Sequence, residues 1–452
     1  MKDRLVYSIY RAGGRFFPWV RRRFTAVGQT ALAGLVATAV WGVDTNQSMA
    51  YQGFTFLAAL LLTAYASARF RSPNVRLSRR LPRFATVGEP VRYAVSVENA
   101  GPRPLLGLVV REEPADPRPT FEAFRDAEDP PDARFIAFDR YWGYSRWRRL
   151  IEAKSAWAEE TPVPDLAPGG VVSVNAALKA RVRGRLTFGA AVAAEPEPLG
   201  LARGLAVTAL PESVLVLPKR YPVPRLALQG SRRYQPGGVS LAASVGESQE
   251  FVGLREYRPG DPPRRIHWRS WAKTGRPIVK EHQDEYFVRH ALALDTFGLA
   301  GEVFEEAVSV AASFACSTLT QDSLLDLLFV GGEAFCITAG RGQGGADRLL
   351  EVLAMVSPSP VPSFDRLAAS VLRRREQLSG CILVLLSLDE ERRALVRRLR
   401  ASGLPVTALV VGARGASAPR EPGVTALEAG RIAEGLAKLN CPKGLSGPGG
   451  PG

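Results

Sequence analysis

Two windows without a charged side chain, close to the N-terminus, constrain this chain more than any other feature. Residues 25–43 and 50–68 are each 19 residues long and contain no Asp, Glu, Lys or Arg. A helix of that length crosses about 30 Å of hydrocarbon. Only the residues DTNQSM separate the windows. This short connection predicts an antiparallel helical hairpin within a membrane.

Basic residues flank the hairpin on both sides. Seven precede it within residues 1–24, six follow it between residues 69 and 83, and the connecting loop has none. The positive-inside rule then puts both ends in the cytoplasm. The two windows contain no Lys, Arg, Glu or His, so they offer no proton relay or ion path. We predict a basic cytoplasmic N-terminus at 1–24, a transmembrane hairpin at 25–68 and an inner (cytoplasmic) membrane location, with a cleaved signal peptide or a buried core hairpin as alternatives.

From residue 75 to residue 220 the hydrophobic pattern changes to a period of two. Strand-like runs lie at 91–99, 170–184, 185–195 and 213–218. Short strands separated by Gly and Pro predict an immunoglobulin-like β-sandwich. Residues 112–168 interrupt the sandwich as a Pro-rich insertion, within which aromatic residues alternate with arginines at 138–150. That stretch could be a flap on the sandwich, or could bind single-stranded nucleic acid, phospholipid headgroups or a protein.

The region 288–440 alternates strands with helices. Buried-strand patterns lie at 290–295, 323–332, 333–340, 381–389 and 405–413, and helical patterns lie at 301–319, 345–356, 363–378 and 390–400. This alternation predicts a doubly wound parallel α/β domain, so that the whole chain is an α/β multidomain protein on a membrane anchor. Because ligands bind at the carboxyl ends of such strands, Asp295 and Asp389 are the first acids to consider. The glycine-rich tail at 441–452 is expected to be disordered.

The most distinctive segment, residues 246–286, joins these two regions. It sets aromatic, charged and glycine residues at characteristic spacings. These residues are Glu250, Phe251, Leu254, Arg255, Tyr257, Gly260, Asp261, Arg264, Ile266, Trp268, Ala272 and Lys273. In this order and spacing they resemble the signature of the domain-of-unknown-function 58 family, and the later run Val279 to Glu281 also fits.

The resemblance carries expectations for the whole chain. Members of that bacterial family have two N-terminal membrane spans, a β-rich middle and a C-terminal domain similar to von Willebrand factor A. They often work with MoxR-type AAA+ ATPases. The resemblance therefore implies an adaptor that binds the lipid bilayer and a protein partner of this ATPase class.

The signature segment itself allows two interpretations. Residues 246–281 contain eight basic and five acidic side chains together with the large aromatic residues Tyr257, Trp268 and Trp271. Such a mixture suits an internal clamp between domains, in which opposite charges pair and Asp261 caps a turn. It also allows a docking surface, in which tryptophans act as anchors. The same residues are therefore candidates for either role.

The resemblance to von Willebrand factor A also raises the question of a metal ion. Such domains often bind Mg²⁺ through an Asp-x-Ser-x-Ser loop after the first strand, because hydroxyl and carboxylate oxygens suit this cation. Here the loop begins at Asp295, and Phe297 and Leu299 stand in the places of the two serines. Asp389 matches a later acid. We expect a degraded site without a metal.

Little in the chain indicates an enzyme or a cofactor. Gly340, Gly342 and Gly345 form a G-x-G-x-x-G pattern between a strand and a helix, but the acid about 20 residues later, Asp365, begins a helix and cannot easily reach a ribose. A nucleotide-binding enzyme that uses this turn is one alternative. Nucleic-acid binding through residues 138–150 is another alternative, because the chain has a net charge of +15. We do not expect the protein to bind nucleic acid.

Overall fold

A computed structural model describes most of the chain, which divides into two compact units, Met1–Lys219 and Arg220–Gly452. The described residues are 2–41, 48–114, 118–127, 136–152, 156–224, 251–259, 261, 263, 266–282, 288–298, 301–319, 323–340, 343–359, 363–415 and 421–440. Several sequence predictions lie outside them: Glu250, Gly260, Arg264, Gly342, residues 42–47 of the hairpin loop and the tail at 441–452.

Three helices begin the first unit. They are α1 (Lys2–Arg23), α2 (Ala26–Trp41) and α3 (Ser48–Phe70). Residues 49–70 of α3 form a helix long and apolar enough to cross a membrane, whereas α2 has 16 residues and spans about 24 Å. Among the described residues there is thus one candidate span and one shorter apolar helix, and the second predicted span remains a prediction.

The β-rich part of the first unit is a sandwich of two sheets. Its strands are β1 (Val75–Arg80), β2 (Phe84–Thr86), β3 (Pro90–Asn99), β4 (Val109–Pro114), β5 (Ala156–Ala158), β6 (Thr161–Pro162), β7 (Val171–Ala180), β8 (Gly184–Pro196) and β9 (Arg203–Leu217). One sheet has the order β1-β3-β7-β5 and the other β2-β9-β8-β4-β6. The run predicted at 213–218 is thus the second half of a much longer strand.

One apolar core joins the two sheets because alternate residues of each strand point inward. Val95 of β3 and Phe188 of β8 both belong to it. Arg79 on β1, counted above among the basic flank of the hairpin, is also buried and pairs with Glu112 and Glu212. It therefore belongs to the sandwich rather than to a membrane surface.

Among the described residues of the insertion, β5 and β6 join the two sheets of the sandwich, and they are preceded by short helices. These helices are α4 (Phe121–Asp126), α5 (Ala137–Tyr141) and α6 (Tyr144–Glu152). Phe124 and Trp147 bury themselves with Val6 of α1 in a small separate cluster. The helices of the insertion therefore pack on the N-terminal helix α1.

The second unit contains a two-stranded sheet and a six-stranded sheet. Its strands are β10 (Phe251–Glu256), β11 (Ile278–His282), β12 (Val288–Leu294), β13 (Ser323–Val330), β14 (Ala334–Ala339), β15 (Gly380–Leu385), β16 (Val406–Gly412) and β17 (Val424–Glu428). Its helices are α7 (Trp268–Thr274), α8 (Glu302–Leu319), α9 (Gln343–Met355), α10 (Asp365–Arg374), α11 (Glu390–Ala401) and α12 (Ile432–Ala437).

The six-stranded sheet has the order β14-β13-β12-β15-β16-β17, with β14 antiparallel to β13 and the other neighbours parallel. The all-parallel prediction is therefore corrected at one edge. Helices α10 and α11 pack on the face that carries Ala291 and Ala293. Leu292 and Leu294 alternate with these residues and are equally buried, so both faces of the sheet are covered.

Candidate functional site

Asp295 lies where the strand order of the six-stranded sheet reverses. It follows β12, whose neighbours are β13 on one side and β15 on the other. Open α/β sheets bind their ligands outside the carboxyl ends of the strands at such a point. The Asp295 side chain is 0% exposed, and it accepts hydrogen bonds from the backbone N–H groups of Phe297 (3.0 Å) and Leu386 (3.1 Å). The carboxylate therefore joins the ends of two adjacent strands.

The guanidinium of Arg392 supplies the cation for this buried carboxylate. Its Nε lies 2.6 Å from Oδ2 of Asp295, and its Nη2 lies 3.1 Å from Oδ1. Its Nη1 donates to Oδ2 of Asp389. The two acids that the sequence singled out are therefore brought together, with an arginine of the same chain between them.

Helix α11 places Arg392 at this position through its first turn. Asp389 is the N-cap residue of α11 and accepts a hydrogen bond from the backbone N–H of Arg392 at 3.0 Å. The guanidinium also lies 4.7 Å from the centre of the Phe364 ring. Burial by itself lowers the pKa of Arg392, but hydrogen bonds and the charges of Asp295 and Asp389 outweigh burial and raise this pKa above its ordinary value. The side chain of Arg392 therefore stays protonated and positively charged.

This arrangement gives a physical reason to expect no metal ion between Asp295 and Asp389, and the sequence alone did not provide that reason. A dication between Asp295 and Asp389 would have to displace a guanidinium that also donates to the Phe297 carbonyl at 3.3 Å. Across the described ranges, no group of three or more His, Cys, Asp or Glu side chains could hold a metal ion. The metal-free interpretation remains a prediction, with Arg392 as its basis.

Adding millimolar Mg²⁺ or Mn²⁺ to the detergent-solubilised chain is expected to leave its Tm unchanged. A site with a Kd one hundredfold below the ion concentration would instead add about 2.7 kcal/mol to the free energy of unfolding. Thermal unfolding with and without the ion measures the difference. An increase in Tm that Asp389→Ala abolishes would contradict the prediction.

The signature segment forms a separate small group of elements in the second unit. Strands β10 and β11 pair antiparallel, and α7 lies between them in sequence. The backbone of Ile266 bridges to Val279, whose side chain is buried, and the N–H of His267 donates to the Ile278 carbonyl at 2.8 Å. Gly275 ends α7 with φ of 70°, a conformation that favours glycine.

Arg255 and Asp261 form a two-pronged ion pair within this group. The two nitrogens Nη1 and Nη2 lie 2.7 Å from Oδ2 and Oδ1 of Asp261. The backbone N–H of Arg258 donates to the same carboxylate at 2.8 Å. These bonds, first that of Arg255 and then that of Arg258, lower the pKa of Asp261 from 3.8 to about 2. The pair closes the turn between β10 and Asp261. The sequence predicted instead that Asp261 caps the turn that follows it, and that cap remains a prediction.

The Asp261 carboxyl group is expected to titrate with a midpoint near the depressed value of about 2. Because the pKa is lower in the folded chain, the stabilising effect of Asp261 is fully present above about pH 4 and is lost as the pH falls through about 2. Carboxyl-carbon NMR shifts measure the midpoint, and Asp261→Asn assigns the signal. A midpoint at the ordinary value of 3.8 would show that the ion pair does not form in solution.

Trp268 begins α7 and stacks on Trp271, with ring centroids 5.2 Å apart and an interplanar angle of 21°. Residues three apart on a helix lie on the same face, which explains the stack. Trp268 is nevertheless 64% exposed. Leu254 and Tyr257 are also exposed, at 43% and 36%. We call these three side chains the signature surface.

The exposure of Trp268 within the second unit suits an anchor for a partner, which remains exposed until the partner binds. The internal clamp remains the alternative interpretation. Ala272 and Lys273 are also exposed on α7. Phe251 lies in β10 and pairs with His282 through the backbone.

Packing explains one glycine of the G-x-G-x-x-G pattern that begins at residue 340. A Cβ on Gly345 would come within 2.7 Å of the Gly340 carbonyl oxygen. The close approach of the strand end to the start of α9 therefore requires glycine at position 345. Asp365 is the first residue of α10, as the sequence predicted.

The sequence reasoning missed Arg392, the central cation of the first site. Its only local signal is the spacing Asp389-x-x-Arg392 at the start of α11, and Arg393 stands directly beside it. Its other partner, Asp295, lies 97 residues away in the chain.

Comparison with known proteins agrees with the resemblance noted in the sequence. Residues 253–427 match the family described as "Protein of unknown function DUF58". The chain is similar to the uncharacterized protein YeaD of Bacillus subtilis (strain 168), with 27% identity over 176 residues, 38% of this chain and 43% of that protein. The match thus spans less than half the length of YeaD.

A crystal structure of the CARDB domain of a Pyrococcus furiosus protein is similar to part of the chain, with a TM-score of 0.18. The sequence identity is 12%, and the likeness covers 32% of this chain and 90% of that domain.

Proposed function

Because residues 253–427 of the chain belong to the DUF58 family, we propose that the protein is a membrane-anchored adaptor that faces the cytoplasm. Its partner is an AAA+ ATPase of the MoxR type, which binds the signature surface. The adaptor performs no chemistry of its own.

The exposed Trp268 is the observation that carries this proposal. Large aromatic side chains often contribute most of the binding energy of a protein interface. They lie near its centre, where binding excludes water. Trp268 is preorganised for this role, because its stacking on Trp271 limits its rotamers before a partner binds. The nearby ion pair of Arg255 and Asp261 stiffens the turn that carries Tyr257.

The strand order of the six-stranded sheet supports a domain similar to von Willebrand factor A. Numbered along the domain from β12, the order is 3-2-1-4-5-6. In place of the metal ion that such domains often bind, this one has the guanidinium of Arg392. Partner binding by this adaptor is therefore independent of divalent cations.

Helices α2 and α3 form the membrane anchor in this proposal. The outward-facing side chains of α3 include Phe56 and Leu62, each more than 60% exposed, which suits a lipid environment. The basic residues before α2 and after α3 put both ends of the anchor in the cytoplasm. The immunoglobulin-like sandwich then lies between the anchor and the second unit along the chain.

A reporter fused after Gly452 is expected to lie in the cytoplasm. Only a reporter that functions in that compartment should therefore be active. Cytoplasmic fluorescence compared with periplasmic alkaline phosphatase activity measures the orientation. The flanking basic residues are the reason for the expectation, so replacing Arg21, Arg22 and Arg23 with Glu should weaken the orientation. Phosphatase activity from the unaltered fusion would refute the proposed topology.

A further inference from the structure

We propose that helix α1, together with the insertion helices α5 and α6, lies in the interface of an anionic membrane as a second contact beside the anchor. This inference rests on the proposed membrane anchoring. The first observation is a row of exposed apolar side chains on α1. Leu5, Ile9 and Phe16 are spaced by four and seven residues, lie on one helical face and are each 56% to 62% exposed.

Basic side chains accompany this apolar row. Residues 1–24 contain seven Lys or Arg and one Asp, and Lys2, Arg4, Arg11 and Arg21 are exposed. A helix with an apolar face and a Lys/Arg-rich polar face has the composition of helices that lie in the plane of a membrane interface. The positive charge also complements anionic headgroups on the cytoplasmic side.

The insertion extends this surface with aromatic residues. Ile136, Phe138 and Tyr141 are each more than 60% exposed. The ammonium of Lys2 lies 3.2 Å from the centre of the Tyr141 ring, and Tyr10 meets the Tyr144 ring at 5.8 Å. The insertion is therefore held against α1, and its exposed rings lie beside the helix. Tyr and Trp side chains favour the headgroup region because one end is apolar and the other is polar.

Contacts between the end of α1 and α3 indicate how deep in the membrane this surface lies. Val20 and Phe24 pack against Leu61, Ala64 and Ala68, which belong to the last three turns of α3. The Trp19 ring lies 6.4 Å from that of Tyr65. In the proposed topology this end of α3 reaches the cytoplasmic headgroups. Helix α1 therefore lies at the depth of the membrane interface, and its exposed face contacts the lipid surface.

Photo-crosslinking of the full chain in vesicles tests this inference. Phe138, Phe56 and Phe335 are replaced one at a time by benzoylphenylalanine, and the chain is reconstituted in vesicles of mixed zwitterionic and anionic phospholipid. Phe56 in α3 reports the anchor, Phe138 reports the proposed surface, and Phe335, exposed on β14, is the control. Mass spectrometry then detects a mass increase of one phospholipid.

We expect lipid adducts at Phe56 and Phe138 well above the Phe335 background. Replacing the anionic lipid with zwitterionic lipid should reduce the adduct at Phe138 and leave that at Phe56 unchanged. Adducts at Phe56 alone would overturn this inference while the anchor remains. A lack of adducts at both positions would overturn the anchor as well, and a crosslink from Phe138 to protein would mean that a second copy occupies this surface.

Discussion

Replacing Arg392 with methionine is expected to lower the free energy of unfolding of the second unit by about 3–5 kcal/mol. The variant leaves the Asp295 carboxylate fully buried without its cation, and two backbone hydrogen bonds do not compensate a buried charge. Urea unfolding of the solubilised chain, followed at the transition of that unit, measures the loss.

Arg393→Met is the matched control for this variant. Arg393 is the next residue of α11, but its side chain is 44% exposed and its ion pairs with Glu390 and Glu421 lie at the surface. Its loss should cost less than about 1 kcal/mol. Adding Asp295→Asn to Arg392→Met should restore more than half of the lost stability, because no buried charge then remains. Equal effects of Arg392→Met and Arg393→Met would contradict this description of the site.

Replacing Trp268 with alanine is expected to weaken binding of the partner ATPase by at least about 2 kcal/mol, or roughly thirtyfold in Kd. The free energy of unfolding should change by less than about 1 kcal/mol, because the ring is 64% exposed before binding. Titration of the solubilised chain with a purified MoxR-type ATPase of the same organism gives the affinity, and urea unfolding gives the stability.

Met355→Ala provides the control for an exposed apolar side chain of the same unit. Met355 is 55% exposed and belongs to α9, outside the signature surface. It should change neither affinity nor stability. A large loss of stability in Trp268→Ala would instead favour the clamp interpretation. Unchanged binding together with unchanged stability would remove Trp268 from both roles.

The elements of the α/β region could be predicted because each carries a strong pattern of its own. Strand β15 is a continuous apolar run and is buried along its whole length, and α11 alternates apolar and charged residues. The sequence did not predict strand β17 or helix α12. Strand β17 has five residues and α12 has six, and so few residues do not show a hydrophobic period. The antiparallel direction of β14 depends on the tight turn after β13, which hydrophobicity does not encode.

The N-terminal helix and the buried ion pair lay beyond sequence reasoning for different reasons. Helix α1 contains Gly13, Gly14 and Pro18, which normally indicate the end of a helix, and its packing on the insertion outweighs them. The pairing of Arg392 with Asp295 joins residues far apart in the chain, and only the folded sheet brings the two together. The acids themselves were found because they follow predicted strands.

Crosslinking from the signature surface in native membranes tests the central claim most directly. Benzoylphenylalanine replaces Leu254, which is exposed and belongs to the signature surface with the proposed anchor Trp268, and Met355 carries the same group as control. The account predicts that Leu254 forms an adduct with an AAA+ ATPase that Met355 does not form. Adducts at Leu254 that lack any AAA+ ATPase, or that match those at Met355, would contradict it.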